Sequence, residues 1–566
     1  MEQKTVDLLV IGGGAAGMTA ALTGRMEGLD VLLCEKAKQV GGTTATSGGT
    51  TWVPGTHLSV QAGVPDKVED ARAFLKSVVG ERGGEHLREA FLRSGPDMVA
   101  ELDAKTAVKF AAALAHPDYV KNQPGEAFGG RALAPVAFDA KVLGDDFDRV
   151  LPPRPEFMGL GGMMVNRNEL SALLRPVSSV GNVKTTLKVV LPYFKDRLKY
   201  KRGTRLVMGN ALVGRLLYSL KQYQTEIWYE APLQELLLEE GRVIGAIVDT
   251  VNGRQRIIAR KGVVLATGGV AWNPALRQQY FPVGTRDYSL APQLSTGDGL
   301  SNGLKVGAKL DNEDHPVLWF PCSTFKKPNG QMAVWPHIIL DRAKPGLIAV
   351  NASGKRFVNE TDSYHDFCVG QLAAQQNNAS TPAYLICDDA FIHKYGLGLI
   401  MPGAQKLKHY LKHGYVVQAA TVRELASKIG VDAHELEQSV IRNNAYAITG
   451  EDLEFGRGTG KMNRFNGDAA IGPNPCIGPI LTAPFYALAV KPIDCASSVG
   501  FAGDEYGRVL NQQGVAIQGL YACGNDLASI FKGTYPGPGT TIGPGMVFGW
   551  RIAKHAAGKL AHESGL

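Results

Sequence analysis

The stretch VDLLVIGGGAAGMTAALTGRMEGLDVLLCEK (residues 6–36) most narrows what this chain can fold into. Its apolar run over residues 6–11 reads as a buried parallel strand. Gly12, Gly14 and Gly17 then supply G-x-G-x-x-G, with Ala15 and Ala16 opening a small-residue helix. Glycines at this spacing permit a tight turn, close approach of the backbone to a diphosphate, and close helix–sheet packing. The diphosphate rests on the helix N-terminus, where unpaired N–H groups and the dipole favour an anion. A second apolar strand ends in Glu35, followed by Lys36, and that acid is placed to accept ribose hydroxyls. Strand, turn, helix, strand and acid together predict a dinucleotide-binding domain rather than a mere glycine-rich turn.

The chain has 566 residues, enough for two to four domains at roughly 150 residues each. With 45% hydrophobic and 20% charged residues it can bury a large core. A net charge of +7 is too modest to imply nucleic-acid binding, and no zinc-finger or RNA-binding signature occurs. Seven cysteines are scattered singly, so the sequence predicts no metal site, no iron–sulfur cluster and no disulfide framework. Unpaired cysteines and the lack of an apolar leader in MEQKTVDLLVIGGG point to a cytoplasmic protein. No run of about 18 apolar residues suggests a membrane span.

The segment KQVGGTTATSGGTTW (38–52) resembles the second flavin-contacting loop of FAD enzymes of the fumarate reductase and succinate dehydrogenase superfamily. The resemblance places Gly42, Thr43, Thr44, Ser47, Gly48 and Gly49 beside the flavin. Members with covalent flavin carry a His in this loop; this one has none, which implies non-covalent FAD. Three later segments fit the same superfamily. KGVVLATGGVAWNP (261–274) brings Ala266, Thr267 and Gly268, STGDGL (295–300) brings Asp298, and IQGLYACGNDLAS (517–529) brings Gly524 and Asn525. No second G-x-G-x-x-G follows a strand, so electrons leave to an unidentified acceptor, a quinone or similar, rather than to NAD(P).

The expected architecture is α/β: a discontinuous Rossmann-like FAD-binding domain (1–300 and 478–566) with an inserted α+β capping and catalytic domain (301–477). An insertion at 150–208 stands apart. Within it, residues 184–205 hold eight basic residues and one acid among apolar ones. Two readings stand for it: a solvated basic helix face, or a peripheral membrane contact suited to a substrate that partitions into lipid.

Near the C-terminus the chain reads GTYPGPGTTIGPGMVFGW (533–550). Dicarboxylate-binding members of the superfamily carry an Arg and His clamp at this place; here a phenol replaces it, pointing to a neutral, carbonyl-bearing substrate. Tyr535-Pro536-Gly537-Pro538-Gly539 resembles the motif of the 3-ketosteroid Δ1-dehydrogenases. The resemblance implies that the Tyr535 hydroxyl and the Gly539 N–H bind a 3-keto oxygen, as an oxyanion hole does. It further implies Tyr364, in GKRFVNETDSYHDF, as the base for the carbon-2 proton, helped by Tyr119 in HPDYVKNQPGEAFGGRAL. Hydride from carbon 1 then goes to flavin N5. A phenol titrates near 10, so the base needs a lowered pKa or a relay. Thr541 and Ile542 open a last helix whose N-terminus faces the flavin's pyrimidine end.

Alternatives are a flavin dehydrogenase or reductase acting at the 4,5 position or on another enone, a fumarate-reductase-like enzyme, and a flavin-loaded electron-relay protein. DCASSVGFAGDEYG (494–507) departs from the family's usual turn and leaves the particular steroid open. Trp319, Phe320 and Trp335 read equally well as pocket or core, and His315 and His337 read more readily as structural than as functional.

Overall fold

The computed structural model describes residues 2–174, 176–311, 315–338 and 341–560. The glycine motif leaves the strand Glu2–Ile11, which lies at the centre of an eight-stranded sheet. Val31–Cys34 and then Glu226–Trp228 continue the sheet on one side, all parallel. On the other side come Gly253–Leu265 and Ala516–Ala522, also parallel, with Arg508–Leu510 antiparallel at the edge. A hairpin of Leu233–Glu239 and Arg242–Thr250 hangs from Gly253–Leu265. Strands buried on both faces need near-continuous apolar sequence, and residues 8–11 and 263–265 supply it. The predicted Rossmann-like α/β fold is therefore present. Its last parallel strand comes from the far end of the chain, as the discontinuous reading requires.

The helix Ala15–Met26 packs so closely on Ile542–Ala556 that a Cβ on Gly549 would lie 2.5 Å from the Ala16 carbonyl oxygen. Glycine here is a packing requirement between two buried helices, which brings the C-terminal loop onto the nucleotide side of the sheet.

A second sheet is antiparallel throughout, in the order Met332–Pro336, Val317–Lys326, Phe485–Ser497, Ala383–Asp388 and Leu347–Val350. The short strand Val417–Ala419 also pairs with Phe485–Ser497. Because that long strand completes the second sheet, we propose that the capping unit extends to Ser497 rather than ending at residue 477. The sequence could not show this, since an apolar strand carries no label for the sheet it will join. Where the units meet, Arg277 makes a buried ion pair with Asp494 at 2.9 Å and donates to four backbone carbonyls. Asp494 also accepts from Ser289. A buried charge with every donor engaged fixes a junction more sharply than apolar packing would.

The insertion forms two helices, Arg167–Leu174 and Val180–Arg197, the second capped by the Ser179 hydroxyl accepting from the Asn182 N–H at 3.1 Å. No helix among the described residues is long and apolar enough to cross a membrane.

Candidate active site

One cavity of about 1540 Å³ is lined both by the glycine motif and by the three tyrosines. Ligand sites for single small molecules run to roughly 300–1,000 Å³, so this one has room for a cofactor and a second ligand together.

At the dinucleotide end each glycine of the motif has its own reason. A Cβ on Gly12 would sit 2.2 Å from the Ala266 oxygen, and one on Gly17 would sit 2.0 Å from the Gly12 oxygen. A Cβ on Gly14 would meet no protein atom within 4 Å, and Gly14 lines the cavity. Tight turn, open approach and close packing are thus divided among the three, which fits a diphosphate lying over Gly14. The Glu35 carboxylate accepts from the Gly13 N–H (2.7 Å) and the Ala37 N–H (2.8 Å), holding the loop, while burial pushes its pKa up. Lys36 donates to Thr296 (2.6 Å) and pairs with Asp298 (2.9 Å), tying the end of the strand Val31–Cys34 to the STGDGL segment. Thr44 accepts from the Ala15 N–H at 3.3 Å through its hydroxyl. Ala16, Gly42, Thr43, Ser47, Gly48, Gly49, Thr267, Gly268, Gly524, Asn525, Thr541 and Ile542 all line the same cavity. Substituting Gly14→Val is expected to leave a folded protein with unchanged circular dichroism but no bound flavin. A full flavin complement in the purified variant would contradict this placement.

Asp526 was not predicted. Its buried carboxylate accepts from the Thr267 hydroxyl (2.8 Å) and the Gly269 N–H (2.9 Å), so it locks the ATGG turn against the last strand. An acid directly after the Gly-Asn pair is the signal that could have found it.

At the other end Tyr119, Tyr364 and Tyr535 meet. The Tyr119–Tyr364, Tyr119–Tyr535 and Tyr364–Tyr535 ring centroids are 5.3, 5.9 and 5.0 Å apart. Each reaches this point from a different segment. Tyr364 opens the helix Tyr364–Ala374, whose N-cap Ser363 accepts from the Asp366 N–H at 3.0 Å. Tyr119 is tied to the C-terminal loop by its own N–H, which donates to the Pro536 oxygen at 2.7 Å. The neighbouring Asp118 is buried, accepts from the Trp52 indole (2.9 Å) and pairs with Arg131 (2.6 Å). Gly537 fits against that indole; a Cβ there would lie 2.6 Å from its nitrogen. Gly539 has φ of 93°, and a Cβ would lie 2.2 Å from the Thr50 oxygen. Its own N–H has no protein acceptor among the described residues, and it lines the cavity beside Tyr535.

These positions can be set beside known proteins. The FAD binding domain family matches residues 7–542. The chain is 34% identical to the 3-oxosteroid 1-dehydrogenase of Mycobacterium tuberculosis (strain ATCC 25618 / H37Rv), covering 98% of this chain and 99% of that protein. A solved 3-ketosteroid Δ1-dehydrogenase from Sterolibacterium denitrificans, in complex with 1,4-androstadiene-3,17-dione, superposes with a TM-score of 0.91 at 33% identity. It covers 98% of this chain and 100% of that one. The chain belongs to the 3-ketosteroid Δ1-dehydrogenase family of FAD-binding flavoproteins. As a member it is an FAD-dependent oxidoreductase acting on CH–CH groups. It is also 35% identical, over 98% of its length and 95% of the other protein, to a 4-oxocyclohex-2-ene-1-carboxylate 5-dehydrogenase of Sinomonas cyclohexanicum.

The electrostatics of the tyrosine cluster follow from burial. All three phenols are pushed above their ordinary value, chiefly because each is removed from water; charge on Tyr119 and Tyr535 raises Tyr364 further, and charge on Cys495 and Tyr119 raises Tyr535. The Tyr364 hydroxyl interacts with both of the others, and Tyr535 also interacts with Thr541. The positive charge of Arg342 acts on Tyr119 in the opposite sense, against this burial effect. A lowered pKa for the predicted base is therefore not what the fold provides. His365, unremarked in the sequence, is buried and pushed down to about 4, mainly by desolvation. It stays neutral and donates from Nε2 to the Gly533 oxygen (3.0 Å), while Nδ1 accepts from the Trp319 N–H (3.3 Å). Standing directly after Tyr364, it pins the start of that helix to the loop that carries Tyr535.

Phe320 and Trp335 line the cavity, whereas Trp319 is core, edge-on to Phe281 at 5.8 Å. His337 is fully buried between Asp341 (2.7 Å) and Ser323 (2.8 Å), a structural chain away from the cavity wall. His315 backs onto Gly533. Among the described residues no group of side chains could hold a metal, and all seven cysteines are free.

Proposed function

We propose that the protein desaturates a 3-ketosteroid at the 1,2 position, with FAD held non-covalently. The observation that carries this reading is the meeting of Tyr535 and the unpaired Gly539 N–H with Tyr364 and Tyr119, in one cavity shared with the dinucleotide cradle. The Tyr535 hydroxyl and the Gly539 N–H donate to the ketone oxygen and stabilise the charge that develops there as carbon 2 loses its proton. Burial suits that role, because a donor with a raised pKa keeps its proton. Tyr364 takes the carbon-2 proton and Tyr119 shares the charge. Bound FAD supplies the two-electron acceptor for the hydride that leaves carbon 1. A further acceptor must then collect those electrons.

A cavity of about 1540 Å³ has room for a steroid beside the cofactor, a larger ligand than the cyclohexenecarboxylate named for the Sinomonas enzyme. The test is turnover of 4-androstene-3,17-dione by purified protein with an artificial electron acceptor, read by mass spectrometry. Loss of two hydrogens to give the 1,4-diene is expected; an unchanged substrate, with turnover of 4-oxocyclohex-2-ene-1-carboxylate instead, would overturn the reading.

The basic insertion supports a peripheral contact with an anionic membrane. Val180, Val183, Leu187, Leu191, Phe194 and Leu198 recur at three- and four-residue steps and are all exposed, Leu191 to 61% and Leu198 to 88%. Val189, Tyr193 and Asp196 form the opposite, buried face, while Val190 lines the cavity. Lys184, Lys188 and Lys195 lie on the same helix. An outward apolar stripe with lysines beside it is what an interfacial helix needs. Flotation with vesicles containing phosphatidylserine should carry the protein up at low salt, and L187S/L191S/F194S should stay at the bottom. Equal flotation of both proteins would reject the contact.

A further inference from the structure

Arg154 stands on the cavity wall built by the insertion, just before the turn Pro155–Phe157. It is the sole arginine lining that cavity among the described residues. Its surroundings are mainly apolar: the Phe157 ring lies 5.9 Å from Trp335, and both line the cavity with Met158, Leu160 and Met163. The guanidinium makes no hydrogen bond to any described residue, and its Nε is buried without a partner. Its nearest counter-charge is Glu156, at 3.9 Å, beyond hydrogen-bond distance. That carboxylate is already engaged by Lys327 at 3.2 Å. Two cations thus share one acid, and a net positive charge faces an apolar chamber. An ionised group in such a place is costly unless something pairs with it. The other cavity-lining acids are occupied elsewhere: Asp298 by Lys36, and Glu35 by two backbone N–H groups.

We propose that Arg154 forms an anion subsite that reads a carboxylate on the substrate, so that the preferred ligand is a ketosteroid carrying an acidic side chain. The inference rests on the ketosteroid reading above and narrows its substrate class. The ketone end is held by neutral donors and the acidic end by a planar guanidinium able to bind a carboxylate through two parallel bonds. Lys327 and Glu156 act as positioning residues, with Glu156 holding the two cations together while the site waits.

The test compares binding of 3-oxochol-4-en-24-oic acid and its methyl ester to the flavin-loaded protein by titration calorimetry. In the unaltered protein the acid should bind about 10- to 100-fold more tightly than the ester, the range expected of a charge-assisted bond. Arg154→Gln should bring that ratio close to one, and Arg154→Lys should restore part of it. A ratio unchanged by Arg154→Gln would overturn the proposal. So would loss of flavin from that variant, since Arg154 would then be pairing with the cofactor's diphosphate. If neither ligand binds the unaltered protein, the ketosteroid reading itself falls, and this inference with it.

Discussion

Replacing Tyr535 by Phe lowers kcat by about 10²- to 10³-fold, the usual cost of deleting one donor aimed at a developing oxyanion. The ring stays in its cluster, because its stacking on Tyr119 and edge contact with Tyr364 need no hydroxyl. Flavin content and melting temperature should therefore match the parent, and KM should change far less than kcat. The asymmetry is the informative part. A phenol that only packed would give a variant with parental turnover, and stopped-flow reduction of the bound flavin by a ketosteroid would show it at once. Gly539 cannot be tested so cleanly. Its φ of 93° and the 2.2 Å approach to the Thr50 oxygen mean that any side chain would move the loop along with the donor.

Tyr364→Phe has the second large effect, about 10²- to 10⁴-fold in kcat/KM, the range of a general base. Its pH dependence carries more information than its size. A base must be deprotonated to act, and burial raises the Tyr364 pKa well above 10. The active form is thus the minor one at neutral pH, and it grows as pH rises. Log kcat/KM for the unaltered protein should climb by about one unit per pH unit from pH 7 towards 10, with no plateau in between. In Tyr364→Phe that slope should vanish while the residual rate persists. A plateau at neutral pH in the parent would show that some group with an ordinary or lowered pKa takes the proton instead.

The dinucleotide half of the site could be read in advance because its chemistry lies within one continuous stretch. Gly12, Gly14, Gly17 and Glu35 lie within 24 residues, and local geometry alone dictates them. The tyrosines were legible only through resemblance. Tyr119 and Tyr535 are over 400 positions apart, and nothing in their spacing says that their rings will stack. Asp526 and His365 were missed for a related reason. Each acts by fixing a backbone turn that comes from elsewhere in the chain, and such a partner has no local signature. The basic stretch was only half understood from its charges. Arg202 turns inward to Asn210 (2.6 Å) and the Val150 oxygen (3.0 Å), Arg205 pairs with Glu169, and the exposed face between the lysines is apolar. Counting charges along a chain cannot show which of them face water.

The bond from the Tyr119 N–H to the Pro536 oxygen makes two of the three phenols travel together, both mounted on the nucleotide-binding body. Tyr364 belongs to the other body, whose sheet is antiparallel and meets the first at the Arg277–Asp494 pair. Any swing of one body on the other would separate Tyr364 from the remaining two and leave those two in register. On the proposed roles, such a swing would leave the ketone clamp whole and withdraw only the base.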